Sequence, residues 1–190
     1  MSDTIRAFIA IPLDPKIQHS IECMQDHLKK SNNDIKWVKP ENIHITLKFL
    51  GDVTTEQINS VKQTLSNCTH NTRPFKVELS QLGAFPNIEC PRTLWIGLKD
   101  SKQQLNRMAV SLEIALGKIG FQDDQRPFSP HITIGRIRSS KNIDALAQST
   151  SSYQISENCT QTISKIILFQ STLTSEGPIY KSLYQIKFKR

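Results

Sequence analysis

A short pattern occurs twice in this chain, as His44-Ile45-Thr46-Leu47 and as His131-Ile132-Thr133-Ile134, and any fold must place both copies. In an extended strand the side chains alternate between faces, so residues two apart point the same way. The first copy alternates cleanly: Ile43, Ile45, Leu47 and Phe49 fall on one side of the segment from Ile43 to Leu50, and His44, Thr46 and Lys48 on the other. That predicts a half-buried strand with a polar working face. Each copy then presents an imidazole that exchanges protons near neutral pH beside a hydroxyl that donates to an anionic oxygen. Two such His-Thr pairs turned toward each other would bracket one tetrahedral anion.

The surrounding elements suggest how two strands come to face each other. Ile5 to Leu13 reads as a buried strand, and Asp14-Pro15 as the start of a helix carrying Ile17, Ile21, Met24 and Leu28. The first motif strand ends at Gly51-Asp52, and Thr54 with Gln57 forms a capping box for a helix with Ile58, Val61 and Leu65. Strands near Phe75 to Leu79 and Thr93 to Leu98 precede a helix striped by Leu105, Met108, Leu112, Leu116 and Ile119. The second motif strand follows Pro130. A short helix over Ile143 to Ala147 and strands near Tyr153, Ile163 to Phe169 and Tyr180 to Phe188 complete the chain. Strand, helix, motif strand, helix, and then a similar course again predicts an α+β protein with two related lobes around a cleft.

Bulk properties narrow the ligand. The net charge is +7 with a pI near 9.3, and Lys36, Lys39 and Lys48 flank the first motif while Arg126, Arg136 and Arg138 flank the second. Basic surfaces attract phosphates over a Debye length, so a polyanion such as RNA is a natural partner. The longest apolar run, Ala7 to Leu13, is too short to span a bilayer, and no signal peptide is legible. Cys23, Cys68, Cys90 and Cys159 are too scattered for a CxxC site and read as reduced thiols. The expectation is a monomeric cytoplasmic protein. Two Asn-Cys-Thr sequons, at Asn67 and Asn158, read as chance matches in such a compartment.

Cleaving a phosphodiester requires a deprotonated attacking oxygen, a protonated leaving oxygen, and stabilisation of charge on the phosphoryl group. Two histidines in opposite protonation states on opposite sides of phosphorus meet the first two needs. Thr46 and Thr133 would bind the non-bridging oxygens. A strained cyclic phosphate suits so modest an acid-base pair. There is no HExxH, and neither motif strand carries a carboxylate on its histidine face, so no metal is expected. The absence of GxxxxGK[ST], GxGxxG and GxSxG removes nucleoside triphosphate, dinucleotide and serine-hydrolase readings, and no cofactor is expected.

Longer stretches around the motifs carry a resemblance. The segments Arg6-Ala7-Phe8-Ile9-Ala10-Ile11, Trp37 to Gly51, Leu94-Trp95-Ile96-Gly97-Leu98, Arg126 to Arg136 and Ser171 to Tyr180 together resemble the 2H phosphoesterases, named for paired HxTx motifs. More narrowly they resemble the RNA 2′,3′-cyclic phosphodiesterases, also called 2′-5′ RNA ligases. The resemblance implies a single domain over residues 1–190, made of two interleaved lobes. Its fold would be bilobal and pseudo-twofold, with two antiparallel sheets, flanking helices and both motifs in a central cleft. It further implies hydrolysis of RNA 2′,3′-cyclic phosphate ends to 2′-phosphomonoesters, with His44 as proton donor and His131 as proton acceptor. Arg136, five positions after the second histidine, would hold the phosphate, although strict alternation turns it away unless a bulge at Gly135 re-aims it. Lys48 falls on the working face by alternation and joins the substrate-binding candidates. Three activities share such a site: hydrolysis of RNA ends or small cyclic nucleotides, 2′-5′ end joining, and non-catalytic binding of a 2′-phosphorylated nucleotide.

Overall fold

The computed structural model describes residues 4–156 and 159–189, which leaves the sequon at Asn158 outside the described residues. Its strands are β1 (Ile5–Pro12), β2 (Ile35–Trp37), β3 (His44–Val53), β4 (Phe75–Phe85), β5 (Thr93–Lys99), β6 (His131–Ile137), β7 (Thr160–Ile163), β8 (Lys165–Thr174) and β9 (Gly177–Lys187). Four helices lie between them, α1 (Pro15–Lys29), α2 (Thr55–Thr69), α3 (Gln104–Gly117) and α4 (Ile143–Ser152), with a 3-10 turn at Pro40–Asn42. The pairings described are antiparallel, in the order β7-β4-β5-β6-β3-β1-β8-β9, with β2 alongside β6. The α+β class and the two halves are as the sequence predicts. The halves are not separate sheets, however: β3 and β6 meet edge to edge at the single pair Ile45–Ile132 and join them into one.

The chain interleaves the halves. One half contains β3, β1, β8 and β9 and is packed by α2 and α3; the other contains β6, β5, β4 and β7 and is flanked by α1 and α4. Thus β4, which follows the first motif, enters the second motif's half, and β8 returns to the first. The two motif strands occupy equivalent central positions and carry the same burial sequence over their first seven residues, with the second, fourth and fifth buried.

Local signals explain most of the helices. In α1 the expected stripe of Ile17, Ile21, Met24 and Leu28 is buried, and Pro15 stands in its first turn. The Asp14 side chain makes no cap; its backbone N–H instead donates to Gln161 Oε1 at 3.0 Å, and Gln161 Nε2 donates to the Pro12 carbonyl at 2.9 Å. The Thr54–Gln57 capping box is formed in both directions. The segment near Tyr153, expected as a strand, is the extended exit from α4, which ends at Ser152, and the strand lies later, at β7. The Leu105, Met108, Leu112 and Leu116 stripe of α3 is buried, whereas Ile119, expected to continue it, lies past the helix end at Gly117 and is exposed. No described helix is long and apolar enough to cross a membrane, and the four cysteines are free.

Candidate active site

Both motif strands carry an irregularity three residues after the histidine. In β3 the register against β1 runs Ala10–Thr46 and then Ile9–Lys48, leaving Leu47 as the extra residue. In β6 the register against β5 runs Trp95–Thr133 and then Leu94–Gly135, leaving Ile134 extra. A bulge inverts the facing of the residues beyond it, in β3 as far as a second shift at Leu50, where Ala7–Gly51 follows Phe8–Phe49. His44, Thr46, His131 and Thr133 precede the bulges and share one cleft, as alternation predicts, while Phe49 and Arg136 beyond them return to that cleft. Arg136 therefore joins the site through a bulge one residue earlier than the expected Gly135. Gly135 has a different role: a Cβ there would stand 2.7 Å from Ile35 Cγ2 and 3.2 Å from the Trp37 ring, so glycine lets β2 close over β6.

The same inversion removes Lys48 from the substrate-binding set. Its side chain is buried on the opposite face, with Nζ 2.7 Å from Glu113 Oε1, 2.8 Å from the Gln122 carbonyl and 3.3 Å from Asp124 Oδ2. Alternation failed because it assumed an unbroken strand. The other bulge is held in a related way by the other half's helix: Gln25 of α1 is buried and its Nε2 donates to the Ile134 carbonyl at 2.9 Å. Each motif strand is thus anchored, next to its bulge, by a polar side chain from a helix packed behind it.

The two histidines are oriented alike. His44 Nδ1 lies 2.8 Å from the Asn42 carbonyl, and His131 Nδ1 lies 2.7 Å from the Ser129 carbonyl. A carbonyl only accepts, so both rings carry their proton on Nδ1 and leave Nε2 for proton exchange with a ligand. No sequence signal announces this arrangement, because the acceptors are backbone atoms two residues before each ring. Asn42 has a second part: its Nδ2 donates to the Pro178 carbonyl at 2.9 Å, tying the β8–β9 hairpin to the turn that orients His44.

The walls of the cleft, whose volume is about 850 Å³, differ in chemistry. On the His44 side Phe8 lies 4.9 Å from the imidazole and Tyr180 5.4 Å, with Phe169 stacked on Phe8 at 5.3 Å and Phe49 at 6.1 Å from Phe8. Alongside β6, Lys36 stands directly opposite Arg136 in the β2–β6 register, and both line the cleft. Sequence reasoning missed the aromatic wall, since its members come from β1, β3, β8 and β9, and saw Lys36 only as charge near a motif. Among the described residues no group of three or more His, Cys, Asp or Glu side chains stands together as a metal site.

Burial among these aromatic rings pushes the His44 pKa below its ordinary value of 6.5, partly opposed by the bond to the Asn42 carbonyl. An NMR titration of the ring protons is expected to give a midpoint below 6.5 in the free protein, and a higher one with inorganic phosphate bound, because an adjacent anion favours the imidazolium. The fold favours neutral His44, so this group leaves stability intact above pH 6.5 and subtracts from it as pH falls from 6.5 through the lower folded value.

The repeated motif geometry has a counterpart in known proteins. The family model described as LigT-like phosphoesterase matches residues 11–95 and again residues 96–180, one match for each HxTx strand. The chain belongs to the LigT-like phosphoesterase family. Curated relatives of this family include an RNA 2′,3′-cyclic phosphodiesterase of Archaeoglobus fulgidus, 37% identical over 94% of this chain and 98% of its own. The enzyme of the same name from Methanothermobacter thermautotrophicus is 32% identical over 94% of this chain and 96% of its own. The fold is shared with a Thermus thermophilus protein of known crystal structure, at a TM-score of 0.80 and 21% identity over 97% of this chain and 98% of the other. It is shared as well with E. coli LigT complexed with 3′-AMP, at a TM-score of 0.77 and 21% identity over 99% and 100%. A LigT-like phosphoesterase with aromatic rings around His44, and with Lys36 and Arg136 side by side along β2 and β6, is therefore the frame for its chemistry.

Proposed function

We propose that this protein hydrolyses RNA 2′,3′-cyclic phosphate ends to 2′-phosphomonoesters without a metal ion, with His44 as general acid and His131 as general base. The observation that carries the reading is the pair of histidines, one from each half, each with Nδ1 held by a carbonyl and Nε2 left for the substrate. The curated relatives named for this activity, matched over nearly their whole length, support the substrate class.

In-line displacement together with the cleft's aromatic side supports this division of roles. Water attacks phosphorus opposite the departing 3′-oxygen, so the nucleoside bearing that oxygen belongs beside the acid and the water beside the base. Two rings that line the cleft, Phe8 and Tyr180, pack against His44, whereas His131 has Phe85 against it at 5.1 Å, so the nucleoside is placed on the His44 side. His131 Nε2 takes the proton of water as the new P–O bond forms, and His44 Nε2 gives its proton to the 3′-oxygen as the P–O3′ bond breaks. Exchange with solvent then restores both rings. Thr46, Thr133 and Arg136 bind the non-bridging oxygens, where negative charge grows in the transition state. The lowered pKa of His44 makes its protonated form a stronger acid, and the charge of the bound phosphodiester favours that form in the complex.

The test is product analysis with an oligoribonucleotide ending in a 2′,3′-cyclic phosphate, incubated with the protein in excess EDTA. A 2′-phosphomonoester as sole product is expected. A 3′-phosphomonoester, activity abolished by EDTA, or saturable binding without turnover would each overturn the reading.

A further inference from the structure

Resting on the reading above, we propose that the cleft contains a second subsite for the nucleotide preceding the cyclic end, with Lys36 holding its connecting phosphodiester and Leu173 supporting its base. The first observation is a like-charge pair. Lys36 and Arg136 lie opposite each other on β2 and β6, where cross-strand side chains on one face are close neighbours. Like charges at such a position are unfavourable, and among the described residues neither has a carboxylate within 4.0 Å. Both line the cleft, together with Lys39. Arg136 is already matched to the reacting phosphate, so Lys36 beside it offers a cation to a further anionic group. Along a nucleic-acid chain that group is the next phosphodiester.

The second observation is independent of charge. Leu173 is 66% exposed and borders the cleft. It is among the most exposed large apolar side chains described, and an exposed apolar group at a cleft marks a binding surface. Leu173 lies on the β8–β9 hairpin, and its cross-strand partner Pro178 accepts from Asn42, in the turn between β2 and β3. A cation and an exposed apolar side chain lining one cleft are the chemistry of single-stranded nucleic-acid recognition, the first for phosphate and the second for a base. The cleft volume of about 850 Å³ is near the top of the range of roughly 300–1,000 Å³ for small-molecule pockets, consistent with more than a single nucleotide.

Steady-state hydrolysis of 2′,3′-cyclic AMP and of the dinucleotide ApA ending in a 2′,3′-cyclic phosphate tests this directly. Wild type is expected to favour the dinucleotide in kcat/KM by about tenfold or more, the scale of one stacked base. Lys36→Met is expected to remove most of that preference through KM, with the mononucleotide rate retained, and to flatten the salt dependence of the dinucleotide by roughly 0.7 in the log-log slope. Leu173→Ser is expected to lower the preference while leaving the salt slope as in wild type. Equal losses on both substrates in Lys36→Met would place Lys36 on the reacting phosphate and overturn the proposal. So would a wild type that turns over both substrates equally well. Failure of wild type to hydrolyse either substrate would instead remove the phosphodiesterase reading on which the subsite rests.

Discussion

Alanine in place of His44 or His131 is expected to lower kcat/KM on a 2′,3′-cyclic phosphate end by about 10²–10⁴-fold, the contribution of a positioned general acid or base. If the two rings act in one transition state, as proposed, the double variant should lose far less than the product of the single losses. The leaving group separates their roles. An aryl phosphodiester releases a phenolate that needs no proton, so His44→Ala should lose much less activity on it than on the ribose substrate. His131→Ala should remain slow on both, because water must still be deprotonated. Rescue of His131→Ala but not His44→Ala would reverse the assignment, and full activity in either variant would remove the two-histidine mechanism. The fold should tolerate both changes, since each ring lines the cleft and its Nδ1 partner is a carbonyl within its own strand approach.

The ion pair behind the site gives the second large effect. Glu113→Ala is expected to destabilise the protein by about 2–3 kcal/mol, at or below the roughly 3–5 kcal/mol of breaking a buried pair, since Lys48 keeps the Gln122 carbonyl and Asp124. Lys48→Met should cost much less. Its chain has nearly the same shape, and Glu113, which is partly exposed, keeps water and the Asp124 N–H at 2.5 Å. Adding Lys48→Met to Glu113→Ala should therefore recover stability, a non-additivity that urea midpoints would show. If Lys48 serves the fold, as its burial on the far face indicates, Lys48→Met should also keep wild-type activity. Selective loss of activity in a fully stable Lys48→Met protein would return Lys48 to the substrate.

The fold was readable wherever a periodic pattern decided it. Alternation placed His44 with Thr46 and His131 with Thr133, and helical spacing identified the buried stripes of α1 and α3. The capping box at Thr54 is legible because its donors and acceptors lie within four residues. Legibility stopped at Leu47. Ile134 stands beside Gly135, whose presence hinted at a bulge, but Leu47 has no glycine next to it, and alternation there put Lys48 and Phe49 on the wrong faces. Gln25 and Glu113 belong to the same gap, since helical pattern marks which face of a helix is apolar and is silent on which polar residue reaches a strand from behind.

The sequence by itself determined the candidate reacting groups and their spacing: two His-Thr pairs on strands, an α+β chain in two similar courses, and a basic surround suited to phosphate. These follow from interactions between near neighbours, where period and residue type suffice. Only the tertiary structure decided that the halves share one sheet through Ile45 and Ile132, that Arg136 turns inward while Lys48 turns away, that aromatic rings gather around His44 and that Lys36 stands beside Arg136. Those placements depend on strand register and on partners from tens to well over a hundred residues apart. A one-residue bulge reverses every facing beyond it, and whether it forms is settled by the strands and helices packed around it.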